Sequence, residues 1–208
     1  MPTNTFFNLT KEKKERVINA ALDEFADKGY TNASITNIVN MAEIAKGSFY
    51  QYFEGKNDLY KYILKKAVDQ ELKYIEKELE SFDGEDFFDY WRRLNIAGIK
   101  YTQENKKLAK IAADIANEKN EKIYQSVIEK YKGFGEEVFE RLLKDAVENG
   151  EVRKDINIEY TAHLLYKASF FITDYFYENQ DLNQLDDFIP LIDNVINIIE
   201  HGIKKEGG

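Results

Sequence analysis

Polar side chains that suit contacts with nucleic acid lie close together between Ser34 and Lys56, in the segment SITNIVNMAEIAKGSFYQYFEGK. The Lys46 amine can donate to guanine O6 and N7 or to a phosphate, and the Gln51 amide suits adenine. Gly47 has no side chain, so the backbone there can approach DNA closely. We expect the same surface to include two further hydroxyl donors, Ser48 and Tyr50.

Two short helices and a tight turn are expected to position these side chains. Ser34 is a favourable N-cap for a helix that ends near Met41, and its apolar residues share one face. A turn at Glu43-Ile44 leads into a second helix over Ala45 to Tyr52. This is the form of a helix-turn-helix DNA reader, whose second helix enters the major groove. Two polar residues at the start of the first helix are expected to reach the opposite wall of the groove: Thr36 and Asn37.

Longer helices are predicted on both sides of this motif. From Thr10 to Lys28, apolar residues recur at i, i+3, i+4 and i+7, the spacing of one buried helix face. Gly29 suits a left-handed C-cap. A further helix begins near Lys56 and continues toward Glu80. Only two prolines and no strongly alternating strand patterns occur in the 208 residues, so we expect an all-α protein.

Over about Val17 to Tyr60 the chain resembles the tetracycline-repressor (TetR) family of bacterial transcription regulators. The resemblance rests on the pattern AALDEFADKGY in the first helix and on an ordered set of later residues: Thr36, Ile38, Ala42, Ile44, Lys46, Gly47, Ser48, Phe49, Tyr50, Tyr52, Phe53, Lys56 and Leu59. It implies an N-terminal three-helix helix-turn-helix DNA-binding domain, residues 1–56, and a larger helical ligand-binding and dimerisation domain, residues 57–208.

The resemblance also assigns phosphate contacts to Tyr52 and Lys56. Lys56 begins a helix, where the backbone dipole favours an anion. For Tyr50 and Tyr52 the alternative is partial packing in the core, because tyrosine is commonly half-buried.

Two residues depart from the family pattern around the turn. Glu43 stands where glycine is usual, and Ala45 stands where serine or threonine usually caps the recognition helix. A non-glycine residue in the left-handed conformation costs about 1–2 kcal/mol, and alanine is a poor cap. We therefore expect a recognition helix that is weakly fixed until a phosphate occupies its N-terminus.

Charge is distributed unevenly along the chain. Residues 1–66 carry 10 Lys and Arg against 8 Asp and Glu, net +2, whereas residues 67–208 carry 19 against 30, net −11. DNA binding needs local positive charge rather than a basic protein, so the overall −9 does not oppose it. The N-terminus lacks the apolar run of a signal peptide. The sequence also contains no run of about 20 apolar residues, the length needed to cross a bilayer. We expect a cytoplasmic protein.

The remainder of the chain is predicted to be helical: Glu85 to Thr102, Lys107 to Asn117, Glu121 to Asn149 with a soft interruption at residues 132–135, Asn157 to Asn179, and Leu185 to Lys204. The last two helices are apolar over more than one face, so each must bury a second face. By the resemblance, this pair forms the interface of a homodimer, which suits a palindromic double-stranded DNA operator.

The resemblance further implies a pocket for a small-molecule effector, apolar or aromatic, whose binding releases the protein from DNA; repression is the commoner outcome in the family. The side chains predicted to line that pocket are Trp91, Leu94, Tyr101, Ile111, Asp114, Ile115, Tyr124, Ile128, Tyr131, Tyr166 and Phe170. Each could instead be ordinary core. The Asp114 carboxylate beside aromatic rings suits a cationic ligand, or else is solvated or paired with a lysine.

No catalytic or metal site is expected. The chain has no cysteine and two histidines, His163 and His201, which lie far apart. Neither a glycine-rich phosphate loop nor a GxSxG elbow occurs, and we expect no cofactor. Two alternatives to a DNA-binding regulator stay open: an enzyme with a small-molecule reaction in the helical domain, and a helical adaptor that binds only protein. Neither explains why the polar residues between Thr36 and Lys56 cluster.

Overall fold

The computed structural model of the protein describes residues 1–81, 84–117, 121–178 and 185–203; within these ranges the side chains of 112–117, 121–134, 174 and 176–178 are not described. The described residues form helices and no strand, as predicted. In chain order the helices are α1 Asn4–Phe7, α2 Lys11–Asn32, α3 Ile35–Met41, α4 Lys46–Tyr52, α5 Lys56–Glu80, α6 Phe87–Glu104, α7 Lys106–Asn117, α8 Glu121–Asn149, α9 Ile158–Glu178 and α10 Leu185–Ile203.

Contacts within the chain define two compact units. Unit 1 comprises Met1–Gln70 and Asn105–Val127, and unit 2 comprises Glu71–Glu104 and Ile128–Gly208. The predicted domain boundary after residue 56 stays a prediction. In the division by contacts, unit 1 also contains residues 57–70 and α7, which packs on α2. An ion pair between Lys107 of α7 and Asp23 of α2 accompanies that packing.

The core of unit 1 follows the predicted helical spacing. Ile18, Ala21 and Phe25 of α2 are buried, as are Ile38 of α3 and Phe49 of α4. These side chains fall on one face of each helix, and their burial fixes the three helices against one another.

Helix α2 changes direction at a glycine. Gly29 has φ 66° and ψ 170°, outside the helical region, although the helix assignment continues to Asn32. Glycine adopts a positive φ without steric cost. The regular part of α2 therefore ends at Lys28, as predicted, and the chain turns toward α3.

The core of unit 2 is built on large apolar side chains of α6, α8, α9 and α10. Trp91, Leu143, Leu165 and Ile192 are fully buried. The Trp91 indole Nε1 donates to Ser169 Oγ at 3.0 Å, so its polar atom is satisfied inside the core.

Helix α8 runs without the interruption predicted at residues 132–135. That prediction was wrong: the helix continues through these residues, and Gly135 serves packing rather than a break. A Cβ built on Gly135 would lie 2.5 Å from Tyr166 Cε2. Gly135 thus admits the Tyr166 ring of α9 against α8, a close approach that a larger residue would block.

Candidate nucleic-acid interface

Helices α3 and α4 form the predicted helix-turn-helix. The turn between them is closed by backbone hydrogen bonds from Ile44 N to Val39 O at 3.0 Å and from Glu43 N to Asn40 O at 3.2 Å. Ala45 occupies the N-cap position of α4 and forms no side-chain cap. The start of α4 is therefore held by backbone bonds and by packing of its buried face.

Most of the residues predicted to contact DNA lie on the outer surface of this motif. Of the nine predicted residues, six are exposed, two, Ser48 and Lys56, are half-buried, and Tyr52 is buried. The Tyr50 ring is exposed and packs edge-on against Phe49 at a centroid distance of 5.3 Å, so partial core packing does not describe it. The exposed residues are Thr36, Asn37, Lys46, Gly47, Tyr50 and Gln51.

A buried carboxylate positions α3, and sequence reasoning missed it. Glu24 of α2 is 5% exposed, and its Oε1 accepts the Ser34 backbone N–H at 2.8 Å. The Asn37 amide Nδ2 donates to the two carboxylate oxygens at 3.1 and 3.3 Å. Ser34 occupies the N-cap position as predicted, but its own side chain forms no cap bond. Glu24 supplies the cap instead, and its negative charge suits a helix N-terminus.

Tyr52, a predicted phosphate contact, is 3% exposed. Its ring centroid lies 6.1 Å from that of Phe6, so most of its side chain packs in the core, which was the alternative to a phosphate contact.

The segment before α2 braces the end of α4, and this too was not anticipated. Thr3 N donates to Tyr52 O at 2.9 Å, and Thr3 Oγ1 donates to Gln51 O at 2.6 Å. The fully buried Phe6 packs on Phe53 with ring centroids 4.8 Å apart. These contacts satisfy carbonyls at the C-terminal end of α4 that the helix itself leaves unpaired.

Lys56, the other predicted phosphate contact, ties α5 to the end of α2. Its Nζ donates to Thr31 O at 3.0 Å and to Ala33 O at 2.9 Å. The same ammonium lies 4.9 Å from the centroid of the Tyr30 ring, within range of a cation–π interaction. An ammonium has three donors, so one remains available to a phosphate.

Glu43 adopts the left-handed backbone that its position requires, with φ 53°. This conformation costs a non-glycine residue about 1–2 kcal/mol. The Glu43 Oε2 atom accepts from Arg16 Nη1 of α2 at 3.1 Å, with the two side chains 76% and 43% exposed, respectively. An exposed pair of this kind contributes only about 0–1 kcal/mol, which does not fully offset the backbone cost.

The residues predicted to line an effector pocket occupy different environments. Trp91, Tyr101 and Ile111 are buried, whereas Leu94 and Tyr166 are half-buried and Phe170 is exposed. Burial raises the pKa of the Tyr101 phenol. The remaining predicted side chains lie outside those that the structure describes: Asp114, Ile115, Tyr124, Ile128 and Tyr131.

A cavity of about 140 Å³ in unit 2 is lined by none of these predicted residues; its walls are Leu79, Phe87, Tyr90, Arg141, Leu142, Asp145, Ala146, Asn149 and Glu151. Within the described part of the chain, no group of three or more His, Asp or Glu side chains could hold a metal ion. The same part of the chain contains no helix long and apolar enough to cross a membrane.

A helix-turn-helix that presents polar side chains from α3 and α4 is the architecture of a DNA-binding transcription regulator. The family described as "Bacterial regulatory proteins, tetR family" matches residues 17–63. The uncharacterized HTH-type transcriptional regulator YvdT of Bacillus subtilis (strain 168) is 30% identical over 164 residues, 75% of this chain and 78% of that protein. The chain therefore belongs to the TetR family. It is a DNA-binding regulator of transcription and not an enzyme.

Solved structures share the whole fold. A TetR family transcriptional regulator from Chloroflexus aurantiacus J-10-FL is 29% identical, with a TM-score of 0.74 over 99% of this chain and 100% of that chain. FadR from Bacillus subtilis, solved in complex with stearoyl-CoA, is 18% identical, with a TM-score of 0.74 over 91% of this chain and 98% of that chain. These similarities confirm the predicted fold class and family.

Proposed function

We propose that the protein is a ligand-responsive repressor. As a homodimer it binds a palindromic operator, and it leaves the DNA when a small apolar or aromatic molecule occupies its C-terminal helical domain. The observation that carries this proposal is the exposed polar face of α3 and α4, because side chains able to contact bases and phosphates converge there with no catalytic group among them.

The DNA contacts follow from the order of residues along α4. Lys46 and Gly47 open the helix and are exposed, and the N-terminal residues of a recognition helix meet base edges. Tyr50 and Gln51 lie one turn further and are also exposed, so the Tyr50 hydroxyl can reach a phosphate and the Gln51 amide can reach a base. Thr36 on α3 is directed to the opposite wall of the groove.

An exposed apolar face on α9 supports a homodimer. Tyr160, Leu164, Phe171 and Tyr175 are all exposed, and at about 100° per residue they fall within an arc of roughly 60°. Ile198 of α10 is exposed as well. Apolar side chains aligned on one face mark a protein interface, and a two-fold dimer would present its recognition helices to half-sites about 34 Å apart.

The effector proposal rests on the apolar content of unit 2 and on a structural neighbour. FadR of Bacillus subtilis was solved with stearoyl-CoA, a molecule with a long apolar chain. Long-chain acyl-CoA is accordingly the first probe that we would test, with apolar aromatic compounds as the second set.

The DNA-binding part is tested by fluorescence anisotropy with the DNA upstream of the protein's own gene, at several salt concentrations. We expect tight, salt-dependent binding to one palindromic segment over bulk DNA. Lys46→Ala should cost about 1–3 kcal/mol on that segment, and Tyr50→Ala should also weaken binding. Lys144→Ala, an exposed lysine of unit 2, is the matched control. Unchanged operator affinity in both Lys46→Ala and Tyr50→Ala would refute the assignment of α4 to the groove.

Sedimentation tests the dimer, and competition tests the effector. Leu164→Arg should convert the dimer to monomers, while Met41→Arg, an exposed apolar residue of unit 1, should leave it intact. Stearoyl-CoA or an aromatic compound should release the wild-type protein from operator DNA. A Leu164→Arg variant that remains dimeric would contradict the proposed interface, and binding that no compound in either set reverses would contradict the proposed effector class.

A further inference from the structure

The turn of the helix-turn-helix contains an uncommon backbone conformation. Glu43 is the non-glycine residue with a positive φ among the residues that the structure describes. Such a conformation persists only where surrounding contacts hold it, and it occurs preferentially at functional sites. The question is which contact holds this turn.

One side chain connects the turn to α2. Arg16 Nη1 donates to Glu43 Oε2 at 3.1 Å across 27 positions of sequence. Arg16 lies one residue before Val17, which is fully buried, so the arginine projects from a fixed point on the scaffold helix. The pair therefore joins a rigid helix to a strained turn.

The start of α4 has little other support from side chains. Ala45 forms no side-chain cap, and the Glu43 carboxylate is directed to Arg16 rather than to the exposed N–H groups of α4. Base-specific contacts need a helix held within about 0.5 Å and 10–20° of its productive position. A small shift of the turn would displace Lys46 and Gly47, which begin α4 directly after it.

We propose that Arg16 is a positioning residue for DNA reading: its ion pair with Glu43 holds the left-handed turn and with it the base-reading end of α4. This inference rests on the proposed contacts of α4 with DNA. A glycine in the turn would accept the positive φ unaided, so the need for Arg16 comes from the glutamate at position 43.

The competing role for Arg16 is direct contact with a phosphate. The two roles differ in a measurable way. A phosphate contact contributes about 0.9 to the slope of log K against log salt, whatever residue occupies position 43. A positioning residue leaves the slope unchanged, and its effect disappears once the turn no longer needs support.

The test is a double-substitution cycle on the full-length protein with Arg16→Gln, Glu43→Gly and the combination. Arg16→Gln should weaken operator binding by about three- to fivefold, the upper range for an exposed ion pair, with little change in binding to random DNA or in the salt slope. In the Glu43→Gly background the same substitution should have no effect. Lys11→Gln, which removes a cation from the same helix, is the charge-matched control.

Hydrogen exchange on the DNA-free protein provides a readout independent of DNA. The Ile44 amide, which bonds Val39 O across the turn, should exchange faster in Arg16→Gln and return to the wild-type rate in Arg16→Gln/Glu43→Gly. A loss of operator affinity that persists in the Glu43→Gly background, a slope reduced by about 1 per subunit, or an unchanged Ile44 rate would overturn the proposal. If the wild type shows no operator preference, the proposed function fails, while the exchange result still judges the role of Arg16.

Discussion

Removing the Glu24 carboxylate should destabilise unit 1 more than removing any exposed charge of the same motif. The carboxylate is 5% exposed and caps α3 through the Ser34 N–H at 2.8 Å. It also accepts both contacts from the Asn37 amide. Glu24→Ala leaves the Ser34 donor without this partner at a helix N-terminus, where the first N–H groups have none within the helix.

The expected magnitude follows from these contacts. A hydrogen bond to a charged group contributes about 1.5–3 kcal/mol, and loss of a helix cap costs about 0.5–2 kcal/mol. The two estimates overlap because the Ser34 bond is itself the cap. We expect Glu24→Ala to lower the free energy of unfolding by about 2–3 kcal/mol. Glu24→Gln keeps one acceptor but loses the charge at the α3 N-terminus, a term of about 0.3–1 kcal/mol, so it should cost about 1 kcal/mol.

Urea unfolding followed by circular dichroism measures these differences. Asn37→Ala, which removes the donor to the Glu24 carboxylate, should cost about 1 kcal/mol, and it should cost nothing further in the Glu24→Ala background, since the acceptor is then already gone. Glu12→Ala, an exposed carboxylate in the first turn of α2, is the control for charge removal. Ordinary surface substitutions change the free energy of unfolding by up to about 0.5 kcal/mol. If the free energy of unfolding of Glu24→Ala lies within that range of the wild-type value, the reasoning from the buried cap is refuted.

Three further substitutions test other parts of the structure. Gly135→Ala should destabilise unit 2 by about 1–3 kcal/mol in thermal unfolding, because the new Cβ meets the Tyr166 ring, whereas Gly98→Ala, with nothing within 4 Å of its Cβ, should be neutral or stabilising. Burial raises the pKa of Glu71 above its ordinary 4.5, so the free energy of unfolding of the wild type should fall as pH rises through and above that value. Glu71→Gln should therefore be more stable than the wild type at pH 7 but not at pH 4. If the two proteins show the same dependence of stability on pH, burial of Glu71 does not affect stability. Lys56→Ala should weaken binding to every DNA sequence and reduce the slope of log K against log salt by about 1 per subunit. An unchanged slope would mean that Lys56 does not contact a phosphate and only bonds the backbone carbonyls.

Local patterns in the sequence were enough to predict the helix-turn-helix. The i, i+3, i+4, i+7 spacing placed Ile18 and Phe25 on one face of α2, and both are buried. Gly29 ends the regular helix with φ 66°, because only glycine takes that conformation freely. Each of these outcomes depends on residues within one or two turns of each other, which is the range that periodicity and capping preferences describe.

The side chains that hold the motif together were not predictable in the same way. Glu24 bonds a residue 10 positions away, and Arg16 bonds one 27 positions away. In the sequence each is one more charged residue on a charged helix, for which a solvated position is the ordinary expectation. Only the packing of α2 against α3 and the turn distinguishes the buried carboxylate from its exposed neighbours.

Aromatic residues of unit 2 were ambiguous for a related reason. Trp91 and Phe170 were both predicted to line an effector pocket, yet Trp91 is fully buried with its indole bonded to Ser169, and Phe170 is exposed. Core, pocket and interface all select large apolar side chains. Periodicity identifies which residues share a face of a helix, but not which neighbour covers that face.

Several cations among residues 1–66 form contacts within the protein. Arg16 is paired with Glu43, and Lys14 Nζ donates to Phe7 O at 2.8 Å. Lys56 donates two of its three N–H bonds to backbone carbonyls. Lys46 is exposed at the start of α4, where its ammonium can donate to a base edge or to a phosphate. Because sequence-independent binding is almost entirely electrostatic, we expect the engagement of these cations to weaken attachment to random DNA and to leave discrimination to the polar groups of α4. We therefore expect this acidic chain to bind DNA selectively; operator affinity no greater than affinity for random DNA, compared by anisotropy at equal salt, would contradict that expectation.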